Sequence, residues 1–506
     1  AYLLLLQTIN SLKNSTGGTM SETNLHQVLI PENPNQETVG KSFKKSLSFS
    51  TNVFIASLFQ FGPTWMMYLF IGMIPNNADI LIGVATGIMV VNVSGRSISV
   101  GLGAALSSLG SQAYGAQNYR QVGIYMQRAI MLSIPVVLIC SVIFLNAETL
   151  LRGIGFSANT AHHAQAYMTI GQFALLPATL TSIYLNFLSC QKISKPQKWI
   201  GAATCLIYPV FGYFFIVYLG WGIQGVALAY VFQKTLQCLI IIGSTYFLHL
   251  FDRRTWQGWS RDALHDFGQF MSLGLQSMLL KCIGWWGLEI TTIQVGIYAN
   301  AKGTDHDLAA HGILMNILAY NFLLILGVST MVTSYVGNSL GEGRPSLAKR
   351  YAKIGVYILT PIVALFGILI NCFAQSISRW YTDEAEVEEI VVRIMPFVAL
   401  LGFGDASQAT LNGILFGLGK LKTASMSAAA INLGLAQFIS FCFWYWADLG
   451  LGGIYLGSFS GLFLTSLIYV KQVYKTDWLE MSEKVQQREV IKEQEGEEVK
   501  QESGKQ

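Results

Sequence analysis

The stretch SSLGSQAYGAQNYRQVG at 107–123 decides the fold, because it recurs in altered form as TSYVGNSLGEGRPSLAK at 333–349. Each copy closes a long apolar run with a glycine-bearing loop. Gly115 of the first copy corresponds to Gly341 of the second, 226 positions further on. A match of this kind at one fixed distance indicates an internally duplicated chain, the symmetry that many transporters show.

A second pair of segments repeats at nearly the same distance. QKISKPQKW at 191–199 corresponds to GLGKLKTAS at 417–425, and each precedes another apolar stretch. Those stretches end in LGWGIQGVALA and LGLGGIYLG, which align Gly225 with Gly453. The chain is therefore predicted to consist of two related halves.

Composition places the chain in the membrane. It is 52% hydrophobic and only 12% charged, with a mean hydropathy of +0.45, which excludes an ordinary soluble domain. A helix of roughly 20 apolar residues crosses a hydrocarbon core of about 30 Å, and a bilayer requires each segment to satisfy its own backbone hydrogen bonds. We predict an all-α polytopic protein with about twelve spans: 49–74, 80–105, 121–145, 161–189, 198–219, 222–247, 267–298, 308–336, 350–375, 388–416, 423–446 and 451–472.

Basic residues alternate between the connections of these spans. By the positive-inside rule, the side rich in Lys and Arg is expected to face the cytoplasm, with both termini on that side. The opposite side carries Arg152, Lys302 and Arg379 beside an acidic run around Glu388. The basic side holds Lys41, Lys44, Lys45, Arg120, Arg128, Lys192, Lys195, Lys198, Arg253, Arg254, Arg261, Arg344, Lys349, Arg350, Lys353, Lys420, Lys422, Lys471 and Lys475.

Composition also divides the chain into segments. The polar amino terminus leaves open whether residues 1–19 belong to the mature chain, since Met20 is a candidate start. The tail after Glu480 has almost no apolar residues, so we expect it to be a solvated helix or disordered, and dispensable for folding. The predicted segments are an N-terminal tail at 1–44, a first lobe at 45–248, a cytoplasmic linker at 249–266, a second lobe at 267–473 and a charged tail at 474–506.

Four motifs then resemble a known family. ALSSLGSQAYGAQNYRQVGIYMQRA at 105–129, KCIGWWGLEITT at 281–292, MVTSYVGNSLGEGRPSLAKR at 331–350 and DASQATLNGILFGLGK at 405–420 look like those of eukaryotic multidrug and toxic compound extrusion (MATE) transporters. The resemblance covers about 45–472. It implies two pseudo-symmetric six-helix bundles around a cleft that opens alternately to either side, and export of organic cations, xenobiotics or metabolites in exchange for protons or sodium.

Two acids inside predicted spans are candidate coupling residues, Glu289 in the seventh span and Asp405 in the tenth. A charge retained near the bilayer centre costs about 3 kcal/mol on insertion scales, so it usually faces a cavity and has a function. If the two carboxylates share one cleft, a proton and a cationic substrate compete for them, which is antiport. In the alternative interpretation each acid is neutralised structurally, with Lys281 as one possible partner.

The resemblance adds detail to this pair of acids. Asp405 falls where the family carries an acid, and Glu289 matches the second acid of the family pattern E-W-W-x-x-E. Gly284 replaces the first acid of that pattern, and Asn316 stands where animal members carry a third. The lower number of acids leaves the proton stoichiometry and the substrate charge open.

Further side chains are candidates for the lining of a substrate cleft. Trp285 lies one helical turn before Glu289, and an indole face there could hold an organic cation through cation–π attraction of about 0.5–2 kcal/mol. Simple helix packing is the equal alternative for Trp285. Gln60, Asn316 and Tyr320 are predicted to line the cleft as hydrogen-bonding groups.

Alternatives from other functional classes stay open. A lipid or polyisoprenoid flippase would use a basic cleft, for which Arg96, Lys234 and Lys281 are available, although the roles of Arg96 and Lys281 are not explained by the antiporter hypothesis. The missing acids would suit a transport-inactive receptor or scaffold. A membrane-embedded transferase would need catalytic polar residues at headgroup level, and the sequence shows no such set.

The remaining expectations concern partners and location. Neither glycine-rich segment has the Gly-Lys-Ser/Thr ending of a phosphate-binding loop, and no metal-ligand spacing stands out, so we expect no enzyme activity, cofactor, metal or nucleic acid. The expected partners are a small-molecule substrate, a proton or sodium ion and the lipid bilayer. We expect a monomer in the plasma membrane or a vacuolar or other endomembrane.

Overall fold

A computed structural model describes residues 37–74, 78–265, 267–302 and 306–503 of the chain. The described residues from 45 onward form one compact unit, to which the following description applies. Most of the predicted N-terminal tail, including Met20, lies outside the described residues.

Every membrane-scale element of the described chain is helical, as the apolar composition requires. The first half contains six long helices and one short one. They are α1 (Val39–Gly72), α2 (Asp79–Gly115), α3 (Tyr119–Leu145), the short α4 (Ala147–Ile154), α5 (Ala158–Cys190), α6 (Lys195–Tyr218) and α7 (Gly222–Phe247).

The second half repeats this order after a linker with two short 3-10 turns, Arg253–Thr255 and Arg261–Leu264. A further helix follows the last long one. The helices are α8 (Phe267–Lys302), α9 (His306–Gly341), α10 (Pro345–Cys372), the short α11 (Ala374–Tyr381), α12 (Ala385–Leu418), α13 (Lys422–Tyr445), α14 (Gly450–Tyr474) and the tail helix α15 (Trp478–Ser503).

The predicted architecture of about twelve spans is confirmed. Among the described residues, 11 helices are long and apolar enough to cross a membrane. The twelfth long helix is α8, whose 36 residues extend about 54 Å at 1.5 Å per residue. It is more polar because it carries Lys281 and Glu289, the kind of residues expected to face a cavity rather than lipid.

The helix boundaries show the duplication directly. Each helix from α8 to α14 begins 226–228 positions after its counterpart in the first half, and this includes the short helices α4 and α11. The paired starting residues are Val39 and Phe267, Tyr119 and Pro345, Ala147 and Ala374, Ala158 and Ala385, Lys195 and Lys422, and Gly222 and Gly450.

The glycine-bearing repeats are helical, where the sequence predicted loops. Helix α2 continues to Gly115 and α9 to Gly341, so the connections that follow are only 116–118 and 342–344. The lack of a side chain lets these helix ends lie directly against another backbone. A Cβ added to Gly115 would overlap the carbonyl oxygen of Asn338, and one added to Gly341 would overlap that of Gln112.

These two glycine contacts are related by the duplication. Gln112 and Asn338 lie 226 positions apart, as do Gly115 and Gly341. Exchanging the halves therefore turns one contact into the other, which is the property of a pseudo-twofold axis. Ser111 and Gly337 are also 226 positions apart, and a Cβ on Gly337 would overlap the Ser111 hydroxyl, so the axis passes between them.

Closer to the middle of the bundle, two further contacts between the halves obey the same symmetry. A Cβ on Gly101 would collide with Met278 of α8, and one on Gly327 would collide with the backbone of Ser50 in α1. The duplication relates Gly101 to Gly327 and Ser50 to Met278. Each lobe thus contributes its first two helices to a crossing with the other lobe.

Serine hydroxyls join the lobes at the end of the bundle that carries the basic loops, called here the basic face. Ser108 donates to the carbonyl of Phe416, 2.6 Å away. Ser334, 226 positions after Ser108, donates to the carbonyl of Ser189. Ser189 and Phe416 are themselves equivalent residues of α5 and α12, so the two hydrogen bonds form a symmetric pair.

Amide side chains one turn further along make a second symmetric pair of bonds. Gln112 donates to the carbonyl of Gly417 at 2.7 Å, and Asn338 donates to the carbonyl of Cys190 at 2.8 Å. A backbone carbonyl at a helix end has no partner within its own helix, so each amide satisfies a group that would otherwise be unpaired. The basic face is therefore closed by packed backbone and by reciprocal hydrogen bonds.

The inter-lobe linker packs on the basic end of α3. Gln127 donates to the carbonyl of Gly258 at 2.7 Å, and Arg128 donates to the carbonyl of Asp262 at 3.1 Å. Arg120 forms an ion pair with the carboxylate of Asp262. Basic residues of α3 that set the predicted orientation thus also hold the linker.

The tail helix α15 is docked on the basic face, so the prediction of a solvated or disordered tail is wrong. Ser482 and Glu489 are each 2% exposed. Ser482 donates to the carbonyl of Leu340 in the second lobe at 2.8 Å, whereas Arg488 donates to Gln112 of the first lobe at 2.9 Å. The composition of the tail did not predict this contact because only a few positions, spaced along one face of the helix, are buried. They are Trp478, Ser482, Val485 and Glu489.

Candidate functional site

Both predicted coupling acids lie on helices of the second lobe, away from the basic face. The Lys281 ammonium of α8 lies 5.0 Å from the ring centre of Phe416, near the basic end of α12. From that contact Glu289 is eight residues along α8, about 12 Å, and Asp405 is eleven residues back along α12, about 16 Å. The structure therefore places both carboxylates well inside the bundle, away from the basic face.

Neither carboxylate has a charged or hydrogen-bonding partner among the described residues. Both side chains are half-buried. The alternative that Lys281 neutralises them has no support, since the Lys281 ammonium is directed to the Phe416 ring. An unpaired buried charge costs several kcal/mol, which favours occupation of these acids by a proton or a cation.

Trp285 contributes an aromatic surface next to these acids. Its ring packs edge-on against Phe322 of α9, with ring centres 4.8 Å apart, and Glu289 follows one turn along the same face of α8. Gly284, where the family pattern has an acid, faces open space: a Cβ there would meet nothing within 4 Å. The structure thus has room beside Trp285 where relatives would carry a carboxylate.

The other predicted cleft residues are divided between the lobes. Tyr320 of α9 is 38% exposed and packs against Trp65 of α1, with tilted rings whose centres are 5.1 Å apart, so it lies between the lobes. Asn316 is exposed one turn away on the same face, and its amide donates to the carbonyl of Gly312 in its own helix. Gln60 is half-buried in α1 and belongs to the first lobe.

The first lobe has its own charged interior, which consists of bases. Arg96 ends a π-helical turn, Asn92–Arg96, that interrupts α2, and its guanidinium lies 4.9 Å from the ring centre of Phe61. Lys234 of α7 lies 5.4 Å from the ring centre of Tyr230. Sequence reasoning left Arg96 without a role, and π-helical turns are frequent at functional sites.

The internal repeat relates the contact between Phe61 and Arg96 to two positions of the second lobe. The offset of 228 between α1 and α8 makes Phe61 the counterpart of Glu289, and the offset of 226 between α2 and α9 makes Arg96 the counterpart of Phe322. At these two positions the first lobe has Phe61 and Arg96, whereas the second lobe has Glu289 and Phe322. Comparing the repeats position by position could have revealed this difference from the sequence.

Comparison with protein families gives the same division into halves. The MatE family profile matches residues 53–214 and again residues 277–442, once in each half. The chain belongs to the MatE family. The prediction from the four motifs is confirmed, and MatE proteins are transporters rather than enzymes.

Curated relatives extend over most of this MatE protein. The multidrug and toxin extrusion protein 1 of Danio rerio is 29% identical over 454 residues, which are 89% of this chain and 74% of the relative. The protein of the same name from Xenopus tropicalis is 30% identical over 412 residues, which are 80% of this chain and 70% of the relative. These relatives support a multi-pass membrane transporter of drugs or xenobiotics.

Solved structures show the same fold. The eukaryotic MATE transporter AtDTX14 superposes with a TM-score of 0.82 at 20% identity, covering 89% of this chain and 99% of that one. A multidrug resistance MATE family transporter in an outward-facing conformation superposes with a TM-score of 0.73 at 17% identity, covering 88% of this chain and 96% of that one. At these identities the likeness concerns the fold alone, and it confirms the twelve-helix bundle.

Proposed function

We propose that this protein is a secondary antiporter that exports organic cations, xenobiotics or metabolites in exchange for protons, with Glu289 and Asp405 as the coupling groups. One observation carries the proposal: the two acids inside the second lobe have no ion pair or hydrogen bond with any described residue. The printed names of the vertebrate relatives, multidrug and toxin extrusion protein 1, support the export of toxic compounds.

The chemistry of the exchange follows from the cost of an unpaired charge. A carboxylate away from bulk water is stable only when a proton or another cation neutralises it. A proton on Glu289 or Asp405 removes the negative charge that would hold an organic cation, so the two ligands displace one another. Trp285 adds an aromatic face one turn from Glu289, worth about 0.5–2 kcal/mol to a bound cation.

Alternating access is supported by the closure of the basic face. The positive-inside rule orients this face, and with it both termini, toward the cytoplasm. Backbone contacts and two symmetric pairs of hydrogen bonds close it, so the structure supports a state from which cargo leaves on the opposite side. Return to an inward-facing state requires the bonds of Ser108, Gln112, Ser334 and Asn338 to break together.

Uptake of radiolabelled tetraethylammonium tests the proposal. The purified full chain is reconstituted in liposomes, and uptake is measured under an imposed pH gradient for wild type and for Glu289→Gln with Asp405→Asn. We expect the double variant to lose uptake by roughly 100-fold, corresponding to about 2.7 kcal/mol for two lost charge interactions. Replacing the pH gradient with a sodium gradient determines the coupling ion.

The matched control removes acids of the opposite face. Glu386→Gln with Asp383→Asn changes the same number of carboxylates outside the lobe interior and should leave uptake within about twofold of wild type, as exposed substitutions usually do. Equal uptake by wild type and the Glu289 and Asp405 double variant would remove the mechanism. Absence of cation uptake by the wild type would instead favour the receptor or scaffold alternative.

A further inference from the structure

The first lobe holds two bases at mid-membrane depth. Arg96 lies 17 residues after the start of α2 at Asp79 and 19 residues before its end at Gly115. Lys234 lies 12 residues after the start of α7 and 13 before its end. Since both helices cross the bilayer, these two side chains are too far from either interface to be explained as anchors in the headgroup layer.

The two bases belong to neighbouring parts of the first lobe. The Arg96 side chain is accessible, and its guanidinium lies over the ring of Phe61 in α1. Lys234 is half-buried and close enough to Arg96 for the two positive charges to interact.

No described acid neutralises this pair. Between residues 45 and 248 the sequence contains only two acids, Asp79 and Glu148, and both lie in the first turn of their helices, away from the middle of α2 and α7. Arg96 and Lys234 contact only the rings of Phe61 and Tyr230 in the described structure. Two like charges held together in this way are unfavourable unless a ligand of opposite charge joins them.

The donor types of this group point to one class of ligand. Guanidinium and ammonium groups donate hydrogen bonds and cannot accept them. Arg96 and Lys234 therefore provide only donors, and each lies over an aromatic ring, Phe61 and Tyr230 respectively. A carboxylate, sulfonate or phosphate accepts several such bonds, and an attached ring or chain would pack on the aromatic rings.

We propose that the first lobe contains a binding site for an organic anion, with Arg96 and Lys234 as its charged ligands, separate from the acids of the second lobe. The site takes the acidic group of an aromatic carboxylate or sulfonate. This inference does not rest on proton-driven cation export, because the bases and the acids lie in different lobes. It gives Arg96 and Lys234 a role that the cation antiporter hypothesis leaves unexplained.

Binding of radiolabelled p-aminohippurate, an aromatic carboxylate, tests the site. The full chain is placed in nanodiscs of phosphatidylcholine, and saturable binding is measured by scintillation proximity. We expect the wild type to bind and Arg96→Gln with Lys234→Gln to bind roughly tenfold or more weakly, since two charge-assisted hydrogen bonds are lost. Tetraethylammonium binding by the same variant should stay within about twofold of wild type, because the second lobe is unchanged.

The matched control is Lys281→Gln, which removes a membrane base of the second lobe and should leave p-aminohippurate binding unchanged. The charge-preserving change Arg96→Lys should retain most of the binding. Absence of saturable binding by the wild type, or equal binding by wild type and the double variant, would overturn the proposal. If the double variant also loses tetraethylammonium binding, it has failed to fold. Arg96→Gln and Lys234→Gln are then measured singly. Unchanged p-aminohippurate binding in both single variants would also overturn the proposal.

A lipid headgroup could supply the same anionic chemistry, and one further arm distinguishes the sources. Phosphatidylglycerol is added to the nanodiscs at increasing fractions. Displacement of p-aminohippurate by this lipid supports the site with a phosphate headgroup as its occupant, in line with a flippase. Undiminished binding supports the site with a water-soluble organic anion as its occupant.

Discussion

The two lobes have the same backbone contacts but differently charged residues inside. At their crossing points, Gly101 corresponds to Gly327 and Gln112 to Asn338, and each pair makes the same kind of contact with the other lobe. In the lobe interiors, by contrast, the base Arg96 of the first lobe is the counterpart of an aromatic residue in the second.

This difference shows which positions the duplicated fold constrains. A helix crossing needs a small residue or an amide at a fixed place, because backbone groups meet there. A cavity wall needs only a side chain that water or a ligand can satisfy, so its charge can change in one copy without disturbing the fold. The positions that differ in charge between the copies are therefore the ones where we place ligands.

The largest expected effect tests the shared backbone contacts. Gly115→Val and Gly341→Val would each force a side chain against a backbone carbonyl of the other lobe. We expect each to destabilise the protein by roughly 1–3 kcal/mol, and by similar amounts because the contacts are symmetric. The measurement is the free energy of unfolding in detergent.

Gly153→Val is the control for these variants. A Cβ at Gly153 of α4 would meet nothing within 4 Å, so we expect a change within about 0.5 kcal/mol. Strongly unequal effects at Gly115 and Gly341 would contradict the proposed equivalence of the two crossings.

The next largest effect is expected from a variant that gives the first lobe two interior residues of the second. Phe61→Glu with Arg96→Phe gives the first lobe the arrangement that Glu289 and Phe322 have in the second. We expect p-aminohippurate binding to fall by roughly tenfold, about 1.4 kcal/mol, because the base is replaced by an acid. Retention of p-aminohippurate affinity would show that the charges of the two lobes do not select their ligands.

The tail helix provides a smaller effect on the basic face. Deletion of residues 477–506 removes the bonds of Ser482 to the second lobe and of Arg488 to the first. Loss of about 1 kcal/mol for a hydrogen bond corresponds to a roughly fivefold larger population in which the basic face is open. We therefore expect the buried thiol of Cys190 to react with a maleimide roughly fivefold faster. The control variant Lys484→Ala, which alters an exposed ion pair within α15, should leave the maleimide reaction rate unchanged. An unchanged rate after deletion of the tail would show that the tail does not keep the basic face closed.

The smallest expected effect concerns Lys281. Its ammonium contacts the Phe416 ring, so Lys281→Met should cost roughly 0.5–1 kcal/mol of stability and change the KM for tetraethylammonium by less than about twofold. Lys281→Arg, which keeps the charge, is the control. A large fall in KM for Lys281→Met alone would mean that Lys281 competes with the cation for the acids.

The sequence was sufficient for the duplication, the spans and the family, because apolar length and repeated motifs depend on local composition. It placed Glu289 and Asp405 within spans but did not show that both lack partners, since this depends on where Lys281 points. The π-helical turn at Asn92–Arg96 was missed because its widening has no composition signal. Docking of the tail was missed because its contacts are mostly polar, through residues such as Ser482.

The most direct test of the central claim is tetraethylammonium affinity measured against pH. Protonation of Glu289 and Asp405 removes the charges that hold the cation, so we expect wild-type affinity to fall as the pH is lowered, and Glu289→Gln with Asp405→Asn to bind weakly at every pH. The double variant Arg96→Gln with Lys234→Gln should keep the wild-type pH profile. An affinity independent of pH in the wild type, or an unchanged pH profile in the variant without the two acids, would contradict the account.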